Sequence, residues 1–131
     1  MTVFRPADGV ETAEAWMAAT QNTKGPSCMA LTRQGLATLR TDHTTENLTA
    51  KGAYILKGAK ADHKVTLFAS GSEVEIIMEA ANALENEGVG VNVVSVPAMD
   101  LFYKQPREYQ KSILAGDIRI CLLYTSPSPR D

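Results

Sequence analysis

Arg33 stands where an arginine can meet an anion. It lies just past the apolar run SCMAL, residues 27–31, which turn signals bound. A run of that form reads as a short strand of a parallel sheet, and open α/β sheets bind ligands beyond the carboxyl ends of such strands. A guanidinium there offers a planar fork of donors that matches phosphate oxygens. A surface arginine paired with a nearby carboxylate is the competing reading, and spacing alone leaves both open. Gly71-Ser72 is a second candidate, because it precedes a helical pattern and helix N-termini attract anions. It matches neither GxGxxG nor a Walker loop. Glu73 and Glu75 would repel a phosphate, so a capped turn is the better reading there.

Other reactive side chains form no constellation. Glu73, Glu75, Glu79, Glu85 and Glu87 are spaced as a solvated helix face, not as an acid–base pair. His43 and His63 sit in polar stretches and read as two solvated histidines, not as a metal pair or a base beside a nucleophile. Cys28 lies inside the apolar run and reads as an inert core thiol. With Cys121 it forms no CxxC, so neither a zinc site nor a disulfide framework is expected.

The elements that would position these residues follow from local pattern. A strand at 3–6 (VFRP) must stop at Pro6, which has no N–H for a ladder. Asp8 and Glu11 form a capping box opening a helix over 9–21, with Val10, Ala13, Met17 and Ala18 as its apolar face and Trp16 at the edge. Gly25-Pro26 ends it. Residues 27–31 are expected to be a strand buried on both faces. Residues 36–50 read as an irregular polar connection, and 53–56 (AYIL) as a short strand. VTLFA at 65–69, a capping box at Ser72 and Glu75, helical spacing of Val74, Ile77, Met78, Ala81 and Leu84, a C-cap glycine at Gly88, and VNVVSV closed by Pro97 make a βαβ unit with parallel strands. Pro106 suits the start of a helix over 107–114, and 118–123 reads as a further strand. The fold class is α/β, with parallel-sheet βαβ units forming parts of two incomplete three-layer domains, since the strands fall short of the typical ~4–6 per sheet.

Composition excludes several functions. With 44% apolar and 21% charged residues the chain reads as globular. A net charge of −2 gives no electrostatic case for nucleic acid or an anionic membrane as partner. No apolar run has transmembrane length, and the N-terminus lacks a signal-peptide pattern. Sparse cysteine makes a reducing cytoplasm the expected compartment.

As strings, the residues carry a resemblance. FRPADGVETAEAW at 4–16, ALTRQGLATL at 30–39, KGAYIL at 51–56, FASGSEVEI at 68–76 and VNVVSVPAMDLFYKQPREYQKSIL at 91–114 resemble transketolase, in that order. The resemblance runs from about Met1 to Ile120. It implies a thiamine-diphosphate enzyme of the pentose phosphate pathway that moves a two-carbon ketol unit between ketose and aldose phosphates, as a cytoplasmic homodimer with a divalent metal such as Mg. It also implies a division: 1–40 as the end of the pyrimidine-binding domain, 41–57 as the connection, and 58–120 as the first part of the C-terminal domain. Arg33 matches the family's arginine that contacts the substrate phosphate, with Thr32 where serine is usual. The family's glycine-aspartate metal motif, its cofactor-activating glutamate and its channel histidines belong upstream of Met1. No catalytic, cofactor-binding or metal residue is therefore expected here, and the isolated chain is expected to be inactive.

Residues 121–131 (CLLYTSPSPRD) resemble no part of transketolase. They look like an in-frame translation of a transposon-end sequencing adapter, in which CTC TTA TAC ACA TCT encodes Leu-Leu-Tyr-Thr-Ser at 122–126; a natural Ser/Pro-rich tail is the alternative. Cys121 would then be non-native. Two other functions stay open: a non-catalytic α/β module that binds an anion or dimerises, and a piece of another thiamine-diphosphate enzyme. The TRQ-Gly-Leu stretch at 32–36 differs from deoxyxylulose-phosphate synthase and the pyruvate dehydrogenase β subunit.

Overall fold

Prolines punctuate the fold as expected. The computed structural model describes residues 1–42, 44–114 and 119–122. Strand β1 (Thr2–Phe4) ends two residues before Pro6, and helix α1 (Gly9–Gln21) opens on Asp8. Asp8 Oδ1 accepts the Glu11 N–H at 2.9 Å. The Glu11 carboxylate reaches back to the Ala7 N–H at 2.7 Å, one residue beyond the usual capping-box partner.

The buried face of α1 differs from expectation. Glu11 and Ala15 are buried, while Ala13, Met17 and Trp16 are exposed. A charged residue lies inside because its carboxylate finds donors there, which offset the cost of burial.

Strand β2 (Ser27–Met29) pairs parallel with β1 in a two-stranded sheet. It was expected to be buried on both faces. Instead Cys28 is exposed and Leu31 is 55% exposed. Among the described residues β2 pairs with β1 alone, so nothing covers its outer side, and Cys28 is not a core thiol.

The larger sheet comprises β3 (Tyr54–Lys57), β4 (His63–Ala69), β5 (Gly90–Ser95) and β6 (Arg119–Leu122), in the order β3-β5-β4-β6. Between β4 and β5 runs helix α2 (Glu73–Asn86), and the two strands are parallel, as the βαβ pattern requires. β6 is also parallel to β4, whereas β3 runs antiparallel to β5. Ile118 and Leu123, which bound the expected last strand, lie outside the described residues.

Alternation along the strands builds a layer on each face. Leu67, Ala69, Val91 and Val93 pack beneath Val74, Ile77 and Ala81 of α2. Phe68, Val94 and Val96 face Phe102 of α3 (Met99–Phe102) and Ile113 of α4 (Arg107–Leu114). Full burial of each valine contributes about 1.5–3 kcal/mol.

Two local expectations need correction. Ser72 makes no side-chain cap; its backbone is already helical, and Gly71 at φ +60° makes the turn. The acidic residues of α2 are not all solvated: Glu73 is 8% exposed and pairs with Arg5, and Glu85 pairs with Lys57 at 2.6 Å. Gly88, at φ +83°, ends α2 as expected.

Candidate functional site

The carboxyl ends of β1, β2, β4 and β5 converge. Ala30, just past β2, donates its N–H to Phe4 O at 2.9 Å. The residue after β1, Arg5, turns its backbone the other way: its N–H donates to Pro97 O at 2.7 Å, and its carbonyl accepts the Gly71 N–H at 3.0 Å. Val96 N–H donates to Ala69 O at 2.9 Å in the same region. The Arg5 guanidinium lies 3.5 Å from the Glu73 carboxylate. This junction is the crevice that an open α/β sheet offers to a ligand.

Two clefts flank the loop after β2. One, of about 190 Å³, is lined by Arg5, Leu31, Thr32, Gly71 and Ser72, among others. The other, of about 230 Å³, is lined by Asp8, Thr12, Leu31, Thr32, Gln34 and Leu36, among others. Thr32 and Leu31 border both. The Gln34 N–H donates to Thr32 Oγ1 at 3.1 Å, which tightens the loop around Arg33. Arg33 itself is exposed and lines neither cleft. The structure thus places the sequence-derived candidate in the loop that the two clefts flank, next to Thr32 and Gln34.

Gly71-Ser72 shares the first cleft, but Glu73 sits beside it in the first turn of α2. His63 is half-buried, not solvated: Nε2 lies 2.9 Å from Thr66 Oγ1 and 3.1 Å from Val65 O. His43 lies outside the described residues. Among the described residues no group of three or more His, Cys, Asp or Glu stands together to hold a metal.

Sequence reasoning missed the polar network behind the crevice. Glu11 Oε1 accepts from Tyr54 Oη at 2.7 Å and Ser95 Oγ at 2.6 Å. Burial pushes the Glu11 carboxyl above its ordinary value, against the opposing pull of the Ser95, Ala7 and Tyr54 donors. Glu14 behaves oppositely. Burial raises it, but the Arg40 and Thr49 donors outweigh that and hold it below its ordinary value. The Arg40 guanidinium pairs with Glu14 and lies 5.4 Å from the Tyr54 ring centroid. Asp8 completes the network, with Oδ2 accepting the Leu39 N–H at 3.0 Å. The connection expected to be irregular is therefore strapped onto α1. The signal available beforehand was a hydroxyl within each apolar run, Ser95 in VNVVSV and Tyr54 in AYIL.

Residues 52–128 match the family model described as the transketolase-like TK C-terminal domain. The chain is 48% identical over 129 residues to the transketolase of Rhodobacter capsulatus, an alignment covering 98% of this chain and 19% of that protein. It is 47% identical over 120 residues to that of Cereibacter sphaeroides, covering 92% and 18%. Among solved structures, the transketolase of Campylobacter jejuni aligns with a TM-score of 0.79 at 42% identity, over 96% of this chain and 19% of that one. A Pichia stipitis transketolase in complex with xylulose 5-phosphate aligns with a TM-score of 0.85 at 35% identity, over 98% and 19%. The chain spans about a fifth of the length of these relatives. With its family-model match, its relatives and its fold in agreement, the chain belongs to the transketolase family.

Proposed function

We propose that this chain is a segment of a transketolase that transfers a two-carbon ketol unit between ketose and aldose phosphates, and that Arg33 grips the phosphate of the sugar. The observation that carries this is that Arg33 is exposed in the loop after β2, between Thr32 and Gln34, which line the clefts where the strand ends converge. Solved Pichia stipitis transketolases described as complexes with fructose 6-phosphate, sedoheptulose 7-phosphate and xylulose 5-phosphate give the substrate class. Arg33 binds and orients; it makes and breaks no bond.

Thiamine diphosphate and a divalent metal such as Mg supply the carbanion chemistry in the parent enzyme. Among the described residues no group of three or more His, Cys, Asp or Glu stands together to hold that metal. The same reading assigns 1–40 to the end of the pyrimidine-binding domain, 41–57 to the connection and 58–120 to the C-terminal domain. On this reading the parent is a cytoplasmic homodimer.

Steady-state kinetics of the full-length parent test the role of Arg33. Losing a charge-assisted phosphate contact in Arg33→Ala should raise the KM ratio of phosphorylated to unphosphorylated acceptor by roughly 10- to 100-fold. An unaltered ratio would overturn the assignment.

A further inference from the structure

We propose that Arg5 and Glu73 are positioning residues that fix the Arg33 loop, so that the unit built on β4 and α2 sets how tightly the enzyme grips a sugar phosphate. The inference rests on the phosphate-binding role of Arg33 and extends it to residues whose side chains need not touch the substrate.

The loop takes its position from its root. Ala30 to Gly35 are all exposed, and Ala30 is held by its N–H bond to Phe4 O. Phe4 is 1% exposed and is followed directly by Arg5. Both backbone groups of Arg5 are engaged in the other unit, by Pro97 beyond β5 and by Gly71 before α2. Its side chain joins the same unit through Glu73, whose side chain is 10% exposed. A displacement of the β4–α2 turn therefore reaches Ala30 through Arg5 and Phe4.

The cleft shared by Arg5, Leu31, Thr32, Gly71 and Ser72 shows the closeness of the parts. A Cβ on Gly71 would stand 3.6 Å from Glu73 Oε2 and 3.9 Å from Arg5 Cβ and Nε, so the pair lies directly over the turn. An ion pair with a one-third exposed arginine contributes little to stability. Placement is a different matter, because displacing a binding group by about 1 Å can cost as much as 100-fold.

The test uses the full-length parent carrying Glu73→Gln, Arg5→Met, both together, Arg5→Lys, and Arg33→Ala as reference. The readout is the KM ratio of phosphorylated to unphosphorylated acceptor, with an unphosphorylated ketol donor and thermal melting alongside. Each single change should raise the ratio by roughly 3- to 10-fold. The double variant should do no more than the larger single, as expected of residues acting as a unit. Arg5→Lys should recover part of the loss. If Arg33→Ala moves the ratio while the pair variants leave it alone, or depress both acceptors alike, the positioning role is wrong and the Arg33 assignment stands. If Arg33→Ala leaves the ratio alone, the Arg33 assignment fails first and the inference falls with it. Should Arg5→Met not fold, Glu73→Gln, close in shape to the original, decides.

Discussion

Glu11 serves three donors with two oxygens: the Ala7 N–H on Oε2, and the Tyr54 and Ser95 hydroxyls on Oε1. An amide keeps all three contacts only if its oxygen takes the Ala7 N–H and its NH₂ donates to both hydroxyls, whose own protons then lose their acceptor. Glu11→Gln should therefore destabilise the protein by about 1–3 kcal/mol, measured by denaturant unfolding. The pH dependence separates Glu11 from Glu14. Because the folded Glu11 carboxyl lies above the ordinary 4.5, the folded state keeps a proton the unfolded state has lost, so this contribution declines as pH rises from about 4.5 through the folded value. The folded Glu14 lies below 4.5, so its contribution is present above that value and is lost as pH falls through the lowered one. Melting temperature against pH should thus lose part of its acid-side fall in Glu14→Gln and part of its decline above pH 4.5 in Glu11→Gln. An unchanged profile in either variant would rule out that residue's assigned slope.

Among the elements, Gly52 and Ser72 make opposite predictions. Gly52 has φ +84°, and a Cβ there would run into the backbone at Ala98 and Phe102. Gly52→Ala should cost at least ~2 kcal/mol by strain and overpacking. Ser72→Ala should stay within about 0.5 kcal/mol, because no cap is lost. Thermal unfolding of both variants checks the pair, and a large loss at Ser72 would mean that its hydroxyl caps α2 after all. The β4–α2–β5 unit was legible in the sequence because its apolar residues keep strict helical and strand periods between turn residues. The covering of β2 was not, since an apolar run shows that faces want cover and not whether neighbours provide it. Helix α3 escaped because its four residues carry too few turns to show a period. The antiparallel direction of β3 escaped because alternation is the same for either direction. At the site, the place of Arg33 just past β2 was legible from the strand-end pattern. Glu11, Glu14 and Arg40 were not, because their partners lie 26 to 84 residues away.

Taken whole, the molecule leaves strand edges open. Among the described residues β2 and β6 each pair on one side, and Leu31 and Ile120 are 55% and 49% exposed. Unpaired edges beside apolar side chains favour association, so the isolated 131-residue chain should elute as multimers or aggregates in size-exclusion chromatography. It should also show no ketol transfer when supplied with thiamine diphosphate and Mg. A monomer that melts cooperatively would contradict the first expectation, and measurable turnover the second.

The anchoring of Arg5 also bears on how such enzymes can be recombined. The stretch 41–57 looks like the place to splice one relative's C-terminal half onto another's N-terminal half. Yet Pro97 and Gly71 hold the backbone of Arg5, far upstream of that splice, and Glu73 holds its side chain. A chimaera joined there would carry one parent's Arg5 against the other's turn. The transferable piece begins before Thr2, so that the first strand travels with the sheet it is fastened to.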